Sequence, residues 1–212
     1  MLSTTSRTTL GRAKERGSTD RNDLYEVLDT GLVCHLGVVV DGHPMVVPTG
    51  YGRIGETLYL HGSTGARSLR AGDGSEVCVT VTHLDGIVLA RSIFNHSFNY
   101  RSAIIYGRPR LVTDPDERME ALRALSEQLA PGQWDYARLP SRKELAATAV
   151  LALSLEEASV KIRRGAPKDE PEDYELPVWA GVVPLVTSWG EPEPDPVLPE
   201  GIAAPVHVLS RE

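Results

Sequence analysis

Apolar and polar residues alternate along much of the chain, a pattern that is typical of short β-strands with one buried face. Asp41-Gly42 and Asp85-Gly86 are predicted to form two-residue hairpin turns, and residues 50–56 a longer turn. With helices between some strands and no parallel βαβ alternation, the order of elements predicts a mainly β fold, an antiparallel barrel with helical additions. The alternation predicts strands over residues 32–40, 43–49, 57–61, 76–82, 87–92, 101–112, 148–155 and 158–163.

Two stretches depart from the regular strand pattern. Pro44 and Pro48 favour an edge position or a bulged path for the strand 43–49, because proline has no backbone N–H to donate across a sheet. Residues 93–100 are both polar and aromatic, which favours a loop that folds over another part of the molecule. The aromatic side chains Phe94, Phe98 and Tyr100 exceed what one small core needs, and this favours a homodimer.

Helical spacing and capping residues predict four helices. Asp20 is a suitable N-cap for the first, which is followed by leucines and a valine at helical spacing. A short helix is expected over residues 66–71. Asp114, with a proline and two acids after it, begins a longer helix. Ser141 and Glu144 have the spacing of a capping box that opens the last.

Composition excludes several classes of protein. The 212 residues carry a formal charge of −7, and no basic block is dense enough for a nucleic-acid interface. No apolar run reaches the roughly 20 residues of a membrane span, and the N-terminus has no hydrophobic signal region, so a cytoplasmic protein is expected. Nine of the 15 prolines lie from Pro167 onward. We therefore predict a flexible N-terminal arm (1–19), a barrel domain (20–165) and a proline-rich extension (166–212) packed on the barrel or on a partner subunit.

Both cysteines, Cys34 and Cys78, lie within apolar runs. Buried free thiols are the expected state, which is consistent with a reducing compartment, although the residues alone leave a disulfide between them open. Neither cysteine has the spacing of a metal site, so no metal is expected.

The strongest local chemistry lies in residues 58–70, LYLHGSTGARSLR. A strand there leads into a loop of small residues, and Arg67 follows where a helix is predicted to begin. Backbone amides, hydroxyls and a guanidinium together could hold a phosphate. An ordinary strand-to-helix connection would have much the same composition. His61, at the strand end, is either a partly buried structural histidine or a member of this site.

Three segments, 33–51, 58–69 and 99–112, carry a family resemblance in this order, and residues 178–181 add to it. The chain resembles the pyridoxamine 5′-phosphate oxidase-like, FMN-binding split-barrel superfamily, and most closely its flavin-nucleotide-binding branch that includes the nitroimidazole-resistance (Nim) proteins. The resemblance implies an antiparallel split β-barrel that forms a homodimer, with FMN held at the subunit interface.

The resemblance also implies which residues bind the cofactor. The flavin ring would lie against Val46, Val47, Pro48 and Thr49, largely against their backbone groups. Arg67 would hold the FMN phosphate, and it is a single cation where many oxidases of the family have two. Because the basic residues that hold the substrate phosphate in true pyridoxamine phosphate oxidases are not recognisable, pyridoxine phosphate is not the expected substrate. The other implied cofactor-binding residues are Leu60, His61, Ser63, Thr64, Asn99, Tyr100, Arg101, Ser102 and Trp179.

The function implied by the resemblance is that of an FMN-dependent oxidoreductase. Hydride or electrons would pass from a reduced nicotinamide, NAD(P)H, to a small organic acceptor such as a nitro compound or a quinone. His61 is the candidate catalytic residue, as a proton donor. Two alternatives stay open. One is a non-catalytic flavin- or haem-binding carrier or sensor, and the other is a reductase that depends on the deazaflavin F420.

Overall fold

Ten antiparallel β-strands form the framework of the protein in the computed structural model, which describes residues 1–211. The strand order is β1-β9-β6-β5-β2-β3-β4-β8-β7, and β10 pairs with the second half of β5. This confirms the predicted split β-barrel with helical additions. The strands are β1 (Gly17–Ser18), β2 (Val33–Val40), β3 (His43–Ile54), β4 (Thr57–Ser63), β5 (Val77–Leu89), β6 (Ser97–Gly107), β7 (Arg110–Leu111), β8 (Thr148–Ser154), β9 (Glu157–Arg163) and β10 (Gly181–Pro184).

Three of the four predicted helices begin at their predicted caps, and the short helix predicted over residues 66–71 begins at Arg67 without a side-chain cap. The Asp20 carboxylate accepts a hydrogen bond from the Asn22 N–H, and Asp114 does the same for Glu117 N–H. Ser141 and Glu144 form the complete capping box. Two very short helices were not predicted. The helices are α1 (Arg21–Asp29), α2 (Arg67–Gly72), α3 (Pro115–Leu129), α4 (Gln133–Tyr136), α5 (Arg142–Ala147) and α6 (Val206–Leu209).

The first hairpin is confirmed, and the strand after it is longer than predicted. Asp41 and Gly42 have φ values of 50° and 79°, as a two-residue turn between right-handed strands requires. Strand β3 then continues to Ile54, so the turn predicted over residues 50–56 is confined to Gly55 and Glu56. The chain changes its sheet partner from β2 to β4 after Gly50 without leaving the extended conformation.

The second predicted hairpin, at Asp85-Gly86, is wrong. Strand β5 runs through both residues as one strand with a β-bulge between Leu84 and Gly86. The Asp85 carboxylate accepts hydrogen bonds from the Arg101 guanidinium, including one of 3.0 Å. Strand β10 comes so close that a Cβ on Gly86 would lie 2.8 Å from the Val183 carbonyl oxygen. The glycine therefore serves a close backbone approach rather than a turn.

The predicted strand 101–112 is two strands in different parts of the sheet. Strand β6 begins earlier, at Ser97, and ends at Gly107, and β7 then pairs with β8. Pro109 lies between them and has no N–H to continue the ladder, while its carbonyl accepts from Gly74 N–H at 2.8 Å. The chain can thus cross from one half of the barrel to the other.

The main core fills the barrel, and α1 closes one end of it with Leu24, Val27 and Leu28, all fully buried. A smaller apolar cluster lies under α3, on the outside of β4 and β8. Helix α3 lies very close to β3, because a Cβ on Gly52 would be 2.6 Å from the Leu125 backbone nitrogen. Cys34 faces the core while Cys78 is half-buried on the other face of the sheet, so both are free thiols and the disulfide alternative is excluded.

The terminal segments lie against the barrel. In residues 1–19, predicted as a flexible arm, Leu2 is buried and the Arg7 side chain forms ion pairs with Glu76 and Glu157. After β9, the Asp169 carboxylate accepts from the Arg91 backbone N–H at 2.9 Å. Within residues 1–211, no helix has both the length and the apolar character to cross a membrane.

Candidate functional site

The barrel opens where β3 and β4 separate. The two strands are paired from Ile54↔Thr57 as far as Tyr51↔Leu60, and no further. Over residues 43–50, β3 pairs with β2 on one side, and no strand of the described residues covers its other side. Extending the β3–β4 register would set Thr49 opposite Gly62 and Val47 opposite Thr64. The predicted ring-binding residues and the predicted phosphate loop are thus the two sides of one opening.

The phosphate loop has a fixed internal structure. Ser63 Oγ accepts from the Gly65 N–H at 3.1 Å, and the Ser63 carbonyl accepts from the Ala66 N–H at 2.8 Å. The Thr64 N–H donates to the Ala147 carbonyl at 3.0 Å, which ties the loop to the end of α5. Ser63 and Thr64 are both exposed, so their hydroxyls can reach a ligand. The Leu60 side chain, by contrast, is fully buried in the core.

Arg67 lies beside the loop and is already paired. Its Nη2 is 2.6 Å from Oδ2 of Asp41, at the tip of the β2–β3 hairpin, and the two side chains are 62% and 78% exposed. An ion pair this exposed contributes at most about 1 kcal/mol to stability and exchanges readily for a stronger partner. Arg67 and Arg70 line one shallow depression with Asp41.

His61 lies at the end of β4, next to the loop, with an exposed side chain. Neighbouring protein removes part of its hydration, and this lowers the pKa of His61 below its ordinary value. A lowered pKa means that the ring is mostly neutral at pH 7. The ring can therefore offer one N–H to a ligand, but it is a weaker source of a proton than an unperturbed histidine.

Two predicted cofactor residues lie elsewhere. Arg101 points to the opposite face of β6 from Tyr100 and Ser102, because adjacent strand residues alternate. Its guanidinium binds the Asp85 carboxylate, which raises the pKa of Arg101, and lies 3.6 Å from Glu26. Asn99 is buried, and its amide donates to the Gly165 carbonyl at 3.1 Å. The structure therefore brings neither side chain to the phosphate loop.

The outer face of the sheet is unusually apolar. Cross-strand partners share a face, so Val46, Gly37, Cys78 and Tyr106 form one row across four strands. Tyr100 and Ser102 lie on this outer face, and Trp179 is 66% exposed just before β10. The large apolar residues exposed on this face are Val33, Val39, Val46, Leu84, Ile87, Phe98 and Val183.

A cavity of about 300 Å³ adjoins the loop on the side away from β3. Thr64 and Arg70 line it together with Arg118 of α3, and α5 and β8 complete its wall. The sequence analysis missed both arginines. Arg70 follows Arg67 by three residues, so helical spacing could have found it. Arg118 comes from a distant element, and nothing in its sequence context distinguishes it.

A second cavity, of about 620 Å³, is strongly basic. It is lined by four cations, Arg16, Arg163, Arg164 and Lys168, by one acid, Glu15, and by the exposed ring of Phe94. The Arg163 guanidinium donates only to neutral oxygens, those of Asn99, Gly165 and Ala166. Partial burial and the nearby charge of Arg16 lower the pKa of Arg163, so the cavity concentrates positive charge in an acidic protein.

The strand order and the opening agree with a known family. The family model described as pyridoxamine 5′-phosphate oxidase matches residues 20–162. The chain belongs to this family. No curated protein matches the chain. The predicted family resemblance is therefore confirmed at the level of the family.

Two solved structures are similar to this family member over nearly its whole length. The flavocytochrome Anf3 from Azotobacter vinelandii is 38% identical, with a TM-score of 0.94 over 98% of this chain and 97% of its own. An FAD- and haem-binding protein from Mycobacterium smegmatis is 42% identical, with a TM-score of 0.88 over 92% of this chain and 97% of its own.

The predicted kinship with the Nim branch is corrected by these matches. A candidate 5-nitroimidazole antibiotic resistance protein from Bacteroides thetaiotaomicron is only 20% identical, with a TM-score of 0.59 over 69% of this chain and 86% of its own. That similarity shows a shared fold alone. The three segments that suggested the branch follow the fold of the family rather than one branch of it.

Proposed function

We propose that this protein binds a flavin nucleotide in the opening between β3 and β4. The observation that carries the proposal is the separation of the two strands after Tyr51 and Leu60. It leaves strand-edge backbone groups of residues 46–49 on one side and the Ser63–Arg67 loop on the other. The backbone groups of β3 can form hydrogen bonds to a planar heterocycle, and the loop can offer hydroxyls and a cation to a phosphate. His61, near the end of β4 and next to the loop, would contribute a neutral ring N–H.

The flavin we propose is FAD rather than the FMN predicted from the sequence. The two solved structures that are 38% and 42% identical to this chain are a flavocytochrome and an FAD- and haem-binding protein. A flavin supplies one- or two-electron redox chemistry when bound, and the protein contributes its position and electrostatic surroundings.

A haem is the second cofactor that we propose. The same two relatives favour it, and the basic cavity has suitable chemistry for it. Haem joins two carboxylates to a large apolar ring, and the cavity joins Arg16, Arg163 and Arg164 to the exposed Phe94. His96 also lines the cavity, but its Nδ1 accepts from the Ala90 N–H at 3.1 Å. The neutral ring therefore carries its proton on Nε2. To bind iron through Nε2, His96 would have to move that proton to Nδ1 and lose the hydrogen bond from Ala90.

We propose a homodimer that meets through the apolar outer face of the sheet. Exposed valine, leucine, isoleucine and phenylalanine side chains on a continuous face are typical of interfaces. Tyr100, Ser102 and Trp179 lie on or beside that face, so they would reach the flavin of the partner subunit rather than their own.

Electron carriage or sensing is the role that we propose, in preference to reduction of nitro compounds or quinones by NAD(P)H. Of the site residues described above, His61 is the candidate proton donor, and its lowered pKa makes it a poor one at pH 7. The relatives favour a protein with two redox groups, and transfer of electrons between two groups needs no organic substrate.

The absorption spectrum of the purified full-length protein tests the proposal. Flavin bands together with a Soret band are expected, and the flavin released by heat should be FAD. A colourless protein that binds neither FAD nor FMN in titrations would overturn flavin binding. Rapid, saturable turnover of NAD(P)H or reduced F420 with nitro compounds or quinones would instead support the reductase alternatives.

A further inference from the structure

Two arginines without an acidic partner line the cavity behind the phosphate loop. Arg70 and Arg118 both line this space of about 300 Å³, and neither forms an ion pair with another residue in the range 1–211. Most other arginines of the protein are paired, as Arg67 is with Asp41 and Arg110 with Glu117. The one carboxylate in the wall, Asp73, accepts from the Leu111 N–H at 2.9 Å.

Arg118 gives a second and independent indication of a ligand. Its Nε is buried and has no hydrogen-bond partner among the described residues. Its Nη2 makes only a 3.3 Å bond to the Val112 carbonyl. A buried N–H of a charged group without a partner costs free energy, and such groups usually find one in a ligand or a water molecule.

The cavity shares lining residues with the proposed phosphate site. Thr64 belongs to the phosphate loop and also lines the cavity. Arg70 lines both the cavity and the depression that holds Arg67, one helical turn away. The remaining wall is largely apolar, with Leu69, Leu111 and Leu151. A group bound there would have two guanidinium groups and an apolar wall within one cavity.

We infer that this cavity holds the adenylate half of a dinucleotide flavin, with Arg70 and Arg118 on its phosphate. The inference rests on the proposed flavin binding and adds the feature that selects FAD over FMN. Arg67 serves the phosphate that both flavins share, whereas Arg70 and Arg118 serve the phosphate that only FAD has. The apolar wall suits a nucleoside, and the volume lies at the lower end of that of small-ligand pockets.

The decisive experiment compares three ligands with the full-length protein after its own flavin has been removed. Titration calorimetry measures riboflavin, FMN and FAD binding to the wild type, to Arg118→Gln and to Arg142→Gln, a control arginine that is exposed on α5 and outside the cavity. Arg118→Gln should weaken FAD binding about 10- to 100-fold and leave riboflavin and FMN unchanged. The control should leave all three unchanged.

A second variant blocks the cavity without altering charge. Ala146 is an exposed residue of α5 that lines the cavity, and Ala146→Trp should reduce FAD affinity to that of FMN. Equal losses for FMN and FAD in either variant, or a wild type that binds FMN as tightly as FAD, would overturn the inference. Flavin binding itself would still stand in those cases, since riboflavin and FMN report on it separately.

Discussion

At the scale of single residues, the candidate site depends on which charges are already satisfied. Arg101 binds Asp85, and Arg67 binds Asp41, yet the two pairs differ in strength. Arg101 is 18% exposed and has a second acid nearby, whereas Arg67 and Asp41 both lie in solvent. A phosphate can displace the exposed carboxylate more cheaply than the partly buried one. Of these two arginines, Arg67 is therefore the one available to a ligand.

Replacement of Arg67 tests this difference. Arg67→Ala should weaken FMN and FAD binding by roughly 30-fold to several-thousand-fold, because a phosphate loses its charged partner. Riboflavin has no phosphate, so its affinity should hardly change. Lysine should restore part of the loss. Fluorescence titration measures all three ligands, and equal losses for riboflavin and FMN would mean that Arg67 is structural.

A companion variant acts in the opposite direction. Asp41→Asn removes the acid that occupies Arg67, and asparagine tolerates the φ of 50° at this position. FMN and FAD binding should become a few-fold tighter. Weaker binding of both would show that the Asp41 pair positions Arg67 for the phosphate rather than competing with it.

At the scale of elements, the end of α1 shows how a long-range contact completes a local structure. The side-chain amide of Gln128, on α3, donates to the carbonyls of Leu28, Asp29 and Gly31, at 3.0, 3.1 and 2.6 Å. Tyr51 adds a hydrogen bond of 2.5 Å to the Leu28 carbonyl. Carbonyls at a helix end have no partner within the helix, so α3 supplies one. In this way α3 fixes the helix that closes the barrel.

Loss of this cap should destabilise the whole fold. Gln128→Ala leaves the Asp29 and Gly31 carbonyls without this donor, and the free energy of unfolding should fall by about 1–3 kcal/mol. Glu120→Ala, at an exposed position of the same helix, should change it by less than about 0.5 kcal/mol. Urea denaturation followed by circular dichroism gives both values, and similar values for the two variants would contradict the capping role.

At the scale of the whole molecule, the exposed apolar sheet face is the main feature that one chain leaves unexplained. Phe98 and Ile87 are cross-strand partners there, 53% and 43% exposed, and Val183 of β10 lies beside them. Side chains of this kind on a flat sheet promote association. Because Cys78 lies on the same face, the rate at which its thiol is alkylated shows whether a partner subunit covers the face.

The dimer prediction concerns this face. Phe98→Asp should give a monomer by light scattering, because a carboxylate would be buried unpaired in the interface. Val197→Asp, at an exposed site of the C-terminal extension, should leave the dimer intact. Alkylation of Cys78 should be slow in the wild type and faster in Phe98→Asp. A wild type that is monomeric with flavin bound would contradict the proposal.

The local sequence determined the elements whose signals are short-range. The cap at Asp20, the capping box at Ser141 and the turn at Asp41-Gly42 depend only on neighbouring residues, so the structure agrees with the prediction. The alternation of apolar residues likewise determined the mainly β class, since a period of two fits only an extended chain with one buried face. The order of three segments was enough to predict the family.

Tertiary structure decided whatever depends on a distant partner. Asp85-Gly86 has the composition of a hairpin turn, but Arg101 and β10 hold it in a continuous strand. Arg101 and Asn99 were predicted to bind the cofactor, but Arg101 binds Asp85 and Asn99 binds the Gly165 carbonyl, so neither side chain reaches the phosphate loop. Arg118 lines the cavity next to the loop, although it lies on a helix some 50 residues further along the chain. The sequence alone carried no sign of these pairings, because the fold that brings such residues together arises from the packing of the whole chain.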